Sequence, residues 1–141
     1  MVKRFFIVIV TTLLLTACSG SSKPAVEITL EASDFAFNIP SITIKAGEPV
    51  QLTLKNIGQL EHDFVIEKID VNTTVIKDSG SEEHHMPGMG AENDLHISAQ
   101  VDETSVIQFT VPEPGTYQFF CSVAGHKEAG MVGELIVVAE K

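Results

Sequence analysis

The segment CSVAGHKEAGMVG sets Cys121, His126 and Met131 at intervals of five residues. A thiolate, an imidazole and a thioether on one short stretch form a soft donor set that suits copper, whereas hard cations take oxygen donors. A mononuclear type 1 copper centre needs two histidines and one cysteine in a trigonal plane, with a weaker methionine on the axis. A second imidazole must therefore come from elsewhere. His62 fits on pattern: in NIGQLEHDF it follows a turn and opens an apolar run of Phe64, Val65 and Ile66. Singly, each of these residues has an ordinary use, as a small buried hydrophobe, a satisfied polar group or a gap-filler. Their combination is what points to one copper ion, Cu(I) or Cu(II). Zinc would accept the cysteine and histidines but gains little from a thioether. With all four positions filled by protein, no place stays open for a substrate, and no paired-carboxylate or Ser/His/Asp arrangement accompanies them. The chemistry is that of a carrier rather than an enzyme.

The elements that must position these donors read as strands. Apolar residues alternate with period two at Val26, Ile28 and Leu30, at Phe35, Phe37 and Ile39, and at Ile42 and Ile44. Pro40 fits a kink or an edge. Gly47 to Pro49 turns into a strand over 50–55, and 56–59 turns into another over 62–66. Residues 71–77 read as a strand or short helix, and 78–93, polar and punctuated by glycine and proline, as a long surface loop. Alternation resumes at Val106, Phe109 and Val111, and strands follow over 116–120 and 133–138. The expected fold is all-β, a Greek-key β-sandwich of seven to eight strands. No apolar stripe of helical period is present to support a bundle.

The N-terminus has a different character. Lys3 and Arg4 precede an apolar run from Phe5 through Leu15, too short for a bilayer span, which ends in small residues as an export signal does. LLLTACSG resembles the lipobox of bacterial lipoproteins. That resemblance implies a signal peptide over 1–17, acylation of Cys18, a lipidated tether over 18–25 and a copper-binding domain over 26–141. Acyl chains would hold the domain at a membrane face without spanning it. Location is then extracytoplasmic, anchored to a bacterial membrane on its periplasmic face or at the cell surface.

From residue 26 to residue 138 the sequence resembles the cupredoxins, the small blue-copper proteins that include plastocyanin, azurin and auracyanin. The resemblance rests on the C-x₄-H-x₄-M loop of Cys121, His126 and Met131, and on an N-x-G segment before the first histidine, matched by Asn56, Gly58 and His62. Two departures stand out. Gly125 precedes the loop histidine where plastocyanins have proline, and Asp63 follows His62 where many members have asparagine tying the ligand loops together. A carboxylate at position 63 can still accept such bonds. The resemblance further implies electron exit through an exposed edge of His126, inside an apolar collar of Val123, Ala124, Ala129, Gly130, Met131 and Val132.

Composition limits the partners. The 141 residues carry 19 acidic against 9 basic side chains, a formal charge of −10, which disfavours nucleic acid. Two cysteines are too few for a disulfide scaffold. The acidic surface either steers a basic redox partner, such as a c-type cytochrome or a membrane oxidoreductase, or simply keeps a monomer soluble. A second donor group, His84, His85, Met86, Met89 and His96, could capture copper transiently, and with it the alternative function is copper delivery or resistance.

Overall fold

Alternating apolar and polar residues with turn residues between them put most of the chain into strands, and the computed structural model describes Pro24, residues 26–80 and residues 95–140. Among the described residues there are ten strands: β1 Val26–Ser33, β2 Ala36–Phe37, β3 Ser41–Lys45, β4 Val50–Asn56, β5 His62–Ile66, β6 Asn72–Lys77, β7 Leu95–Ala99, β8 Thr104–Thr110, β9 Gly115–Phe120 and β10 Val132–Val138. They form two five-stranded sheets, in the orders β2-β1-β4-β8-β6 and β3-β10-β9-β5-β7. Two pairings, β1 with β4 and β3 with β10, are parallel, and the others are antiparallel. This is the expected Greek-key β-sandwich, with more strands than the seven to eight read from sequence. The almost wholly buried β7 escapes a period-two reading, because it shows no alternation of buried and open positions. Of residues 71–77, Asn72–Lys77 form a strand and none a helix.

The core lies between the sheets. Leu30, Leu52, Leu54, Ile107 and Phe109 of the first sheet join Ile42, Ile44, Phe64, Ile66, Phe119, Leu135 and Val137 of the second in one buried cluster. Cys121 and Met131 belong to the same cluster. The soft donors are thus extensions of the apolar core at one end of the sandwich, reached from the ends of β5, β9 and β10.

One expectation from alternation fails. Alternation aligns Phe35 with Phe37 and Ile39 on one strand, but β1 ends at Ser33 and the chain turns at Asp34 and Phe35. Phe35 takes a positive φ of 65° and is about half exposed. Ser33 and Asp34 are turn formers, and they interrupt the alternation here.

Sheet packing near the site depends on a glycine. Gly133 of β10 stands opposite Phe119 of β9, and a Cβ added there would fall inside the Phe119 ring. That ring also meets Phe37 edge-on at 5.4 Å and Phe64 at 5.1 Å, so it has little room to yield. Gly133→Ala is expected to destabilise the domain by about 1–3 kcal/mol through overpacking. Urea denaturation of the two proteins checks this, and equal midpoints would mean that Phe119 moves aside freely.

Candidate metal centre

Three donors converge at the core end of the sandwich. His62 opens β5, Cys121 follows directly on β9, and His126 lies in the turn that links β9 to β10. Their ligand atoms all lie within 4.8 Å of one another, and all three residues are buried. The Cys121 Sγ is 3.8 Å from Nδ1 of His62 and 3.4 Å from Nδ1 of His126. The two imidazoles stand with ring centroids 5.0 Å apart, tilted by 47°. Donors at these separations match a triangle around one ion with bonds of about 2.0–2.3 Å to nitrogen and sulfur. The cluster can hold a single copper ion, and its chemistry, one soft sulfur and two imidazoles, fits copper.

Backbone bonds fix the triangle. Asp63 N–H donates to Cys121 Sγ at 3.4 Å, tying β5 to the sulfur. Met131 binds both other loop donors through its backbone: its carbonyl accepts from Cys121 N–H at 3.1 Å, and its N–H donates to the His126 carbonyl at 3.0 Å. The Met131 side chain is fully buried. The intervening turn is closed by His126 N–H on the Val123 carbonyl and Ala129 N–H on the Gly125 carbonyl, each 3.0 Å. Gly125 has φ 84°, a left-handed conformation that a proline could not adopt.

Asn56 supports the histidine side from the end of β4. Its Nδ2 donates to the carbonyls of Leu60, at 2.7 Å, and Ala99, at 2.9 Å, and its Oδ1 accepts from Gly58 N–H at 2.9 Å. Gly58 has a steric reason to be glycine: a Cβ there would lie 2.6 Å from Asp34 Oδ1 and 2.7 Å from His62 Nε2.

Asp63 is buried at 1% exposure, its carboxylate facing away from His62 along the strand. It accepts a hydrogen bond from the Ser122 hydroxyl, on the ligand turn, and lies 3.9 Å from His96 Nε2. His96 in turn sits 3.2 Å from the Ser98 hydroxyl. Burial by itself raises the Asp63 carboxyl, but His96, Ser122 and Ser98 together outweigh it and hold the group below the usual carboxylate range. The expected tie between ligand loops therefore exists through a serine hydroxyl. His96 belongs to β7 and to this polar group behind the sulfur, while His84, His85, Met86 and Met89 lie outside the described residues, as does Cys18.

The expected exposed edge of His126 is not found. His126 is only 2% exposed, because Phe35 packs edge-on over its ring at a centroid distance of 5.0 Å. Met131, buried, cannot belong to a surface collar either. Of the other expected collar residues, Ala124, Ala129 and Gly130 are exposed and Val123 and Val132 half-buried, while the turns before β2 and β5 expose the larger Phe35, Ile57 and Leu60. Sequence reasoning missed Asp34, Phe35 and Ser122. The Ser-Asp pair marks the first turn, but nothing local says that the turn folds over histidines 28 and 92 residues further on.

The profile of the cupredoxin-like domain family matches residues 5–137. The copper-resistant cuproprotein CopI of Rubrivivax gelatinosus is 34% identical over 103 residues, covering 72% of this chain and 59% of that protein. Auracyanin-A of Chloroflexus aurantiacus is 30% identical over 130 residues, covering 84% of this chain and 77% of its own. A solved structure of auracyanin A, a blue copper protein from the same bacterium, superposes with a TM-score of 0.57 at 25% identity, covering 79% of this chain and 98% of that one.

Without metal, burial pushes the Cys121 thiol up to about 11, against the opposing N–H groups of Asp63 and Val123. Burial, aided by the neighbouring His126, lowers the His62 imidazole despite Asp34 and Asp63, so it is neutral at pH 7. Loading must then expel one proton, from Cys121, and apparent affinity should rise up to about tenfold per pH unit, levelling only near the thiol's own pKa. Calorimetric copper titrations at pH 7.5 in two buffers of different ionisation enthalpy check this. Release of one proton per ion is expected, and none would mean that the sulfur is already ionised.

Proposed function

The chain belongs to the family of cupredoxin-like domains, and from that premise we propose that it is a one-electron carrier with a single type 1 copper, held on the extracytoplasmic side of a bacterial membrane by acylated Cys18. The observation that carries this reading is the buried triangle of His62, Cys121 and His126. In that reading Met131 would be the fourth and weaker ligand, and Asn56 and Asp63 would hold the ligand residues in place. Copper bound there supplies a Cu(I)/Cu(II) couple reached through a covalent bond to sulfur.

The residues themselves do the rest. Cys121 lies at the end of a core strand and both imidazoles are packed, so the donors have little freedom to rearrange when the charge at the centre changes. Asp63, ionised and buried behind the sulfur, favours the more positive oxidation state and lowers the potential. Phe35, Ile57 and Leu60 give an apolar face suited to brief, weak docking. The acidic remainder of the domain steers a basic partner, a c-type cytochrome or a membrane oxidoreductase.

A second reading, copper resistance or delivery, is favoured by the 34% identity to a copper-resistant cuproprotein, of whose length this chain spans 59%. The His/Met segment 84–96 would serve it.

Copper titration with visible and electron paramagnetic resonance spectra, followed by voltammetry, separates the two. The carrier is expected to show an intense band near ~600 nm and a reversible one-electron wave, while transfer of copper to an acceptor without either supports delivery. Cys121→Ser should abolish the band, since a hydroxyl cannot provide thiolate-to-copper charge transfer. A band that survives in this variant would overturn the assignment.

Anchoring is tested separately. Expressed in a bacterial host, the chain should partition with membranes and take up labelled palmitate, and Cys18→Ser should lose both. Membrane association that persists unchanged in Cys18→Ser would remove the lipid from the proposal.

A further inference from the structure

The His62 ring uses Nδ1 towards the sulfur and leaves Nε2 on its far side. That nitrogen is buried and has no hydrogen-bond partner among the described residues. An imidazole nitrogen without a partner in a buried site is costly, and in metal sites the free ring nitrogen ordinarily finds a carboxylate, a carbonyl or water. The group in front of it is Asp34, whose Oδ1 lies 3.8 Å from Nε2.

Asp34 is not there by chance of side-chain reach. Its Oδ1 accepts the Gln59 N–H at 2.8 Å, and Ile57 N–H donates to the Ala32 carbonyl at 2.8 Å. The turn before β2 is thereby stitched to the turn before β5, with Asp34 and His62 facing each other across the seam. Gly58 keeps the space between them open, since a side chain there would strike both atoms, at 2.6 and 2.7 Å. Asn56 Oδ1 in turn holds Gly58 N–H.

We propose that Asp34 is the positioning residue of His62: its carboxylate accepts the Nε2 proton, which fixes the ring's orientation and leaves the Nδ1 lone pair directed at the metal position. The proposal deepens the copper reading and rests on it for its purpose, though not for its test. A neutral imidazole carries one proton, and whichever nitrogen holds it cannot bind an ion. An acceptor on the Nε2 side therefore selects the tautomer that binds. Closing 3.8 Å to hydrogen-bond length needs a shift of about 1 Å, which the half-exposed Asp34 side chain can make by a small rotation.

The test uses the full chain in detergent, as wild type, Asp34→Ala and Asp34→Asn. Two-bond ¹H–¹⁵N spectra of the metal-free proteins at pH 8 report the His62 tautomer directly. The wild type is expected to hold the Nε2–H form. Asp34→Ala should spread the population over both tautomers and weaken copper binding about 10–100-fold. In Asp34→Asn the amide oxygen still accepts, so the tautomer and most of the affinity should return, a rescue that a merely structural role would not require. An Asp34→Ala protein with wild-type tautomer and affinity overturns the proposal. If the alanine variant does not fold, Asp34→Asn decides alone: the Nε2–H proton resonance must move when its acceptor changes from carboxylate to amide, and an unmoved resonance overturns it. Should the wild type bind no copper, the function proposed above fails, while the tautomer result still judges Asp34.

Discussion

One buried sulfur organises this end of the molecule. Cys121 Sγ is removed from water, stands between two imidazoles, and receives a backbone N–H from Asp63. A thiol so placed resists ionisation, which leaves the metal-free core close to neutral and allows it to pack as an apolar interior. An ion that replaces the proton removes that penalty. The same burial that makes the free thiol inert thus makes the site selective for an ion that bonds strongly to sulfur. The neighbouring constraints follow from it: β5 must pass close enough to donate its N–H, and Met131 must close the turn on the other side.

The histidine side is held by a different device. Asn56 ends β4, makes two hydrogen bonds that shape the turn to β5 and a third to Ala99 of β7, and Gly58 removes the Cβ that would collide with His62 and Asp34. The N-x-G segment before the first histidine therefore has a physical content of its own, one residue to pin the turn and one to clear it. A substitution at either position would displace the imidazole without altering any ligand.

The ligand pattern was legible in the sequence because it is local: Cys121, His126 and Met131 share one turn, and His62 opens a strand just after another. The sandwich was legible for the same reason, since period-two alternation with turn residues between is a local signal. What remained hidden was non-local. β7 lacks alternation because both its faces are largely covered, and Phe35, read as an inward strand residue, turns out to sit in a left-handed turn on top of His126. Asp63 could be singled out as a departure from family pattern, but Ser122, Ser98 and His96, which stabilise its charge, come from strands and turns that only the fold brings together.

The rigidity of the cluster also bears on what it can do. The three donors stand within 4.8 Å of one another, fixed by strand ends and by the hydrogen bonds of the turn. Such a site keeps its geometry through a change of oxidation state, which is what electron transfer asks of it. Delivery asks the reverse, because an acceptor must reach the ion and take over its ligands one at a time. Here His62 and Cys121 are fully buried and His126 lies under Phe35, so access would mean lifting the turn before β2 and breaking the bonds that join Met131 to Cys121 and His126. A chain that both carried electrons and handed on copper would have to divide the tasks between this closed centre and a separate set of donors.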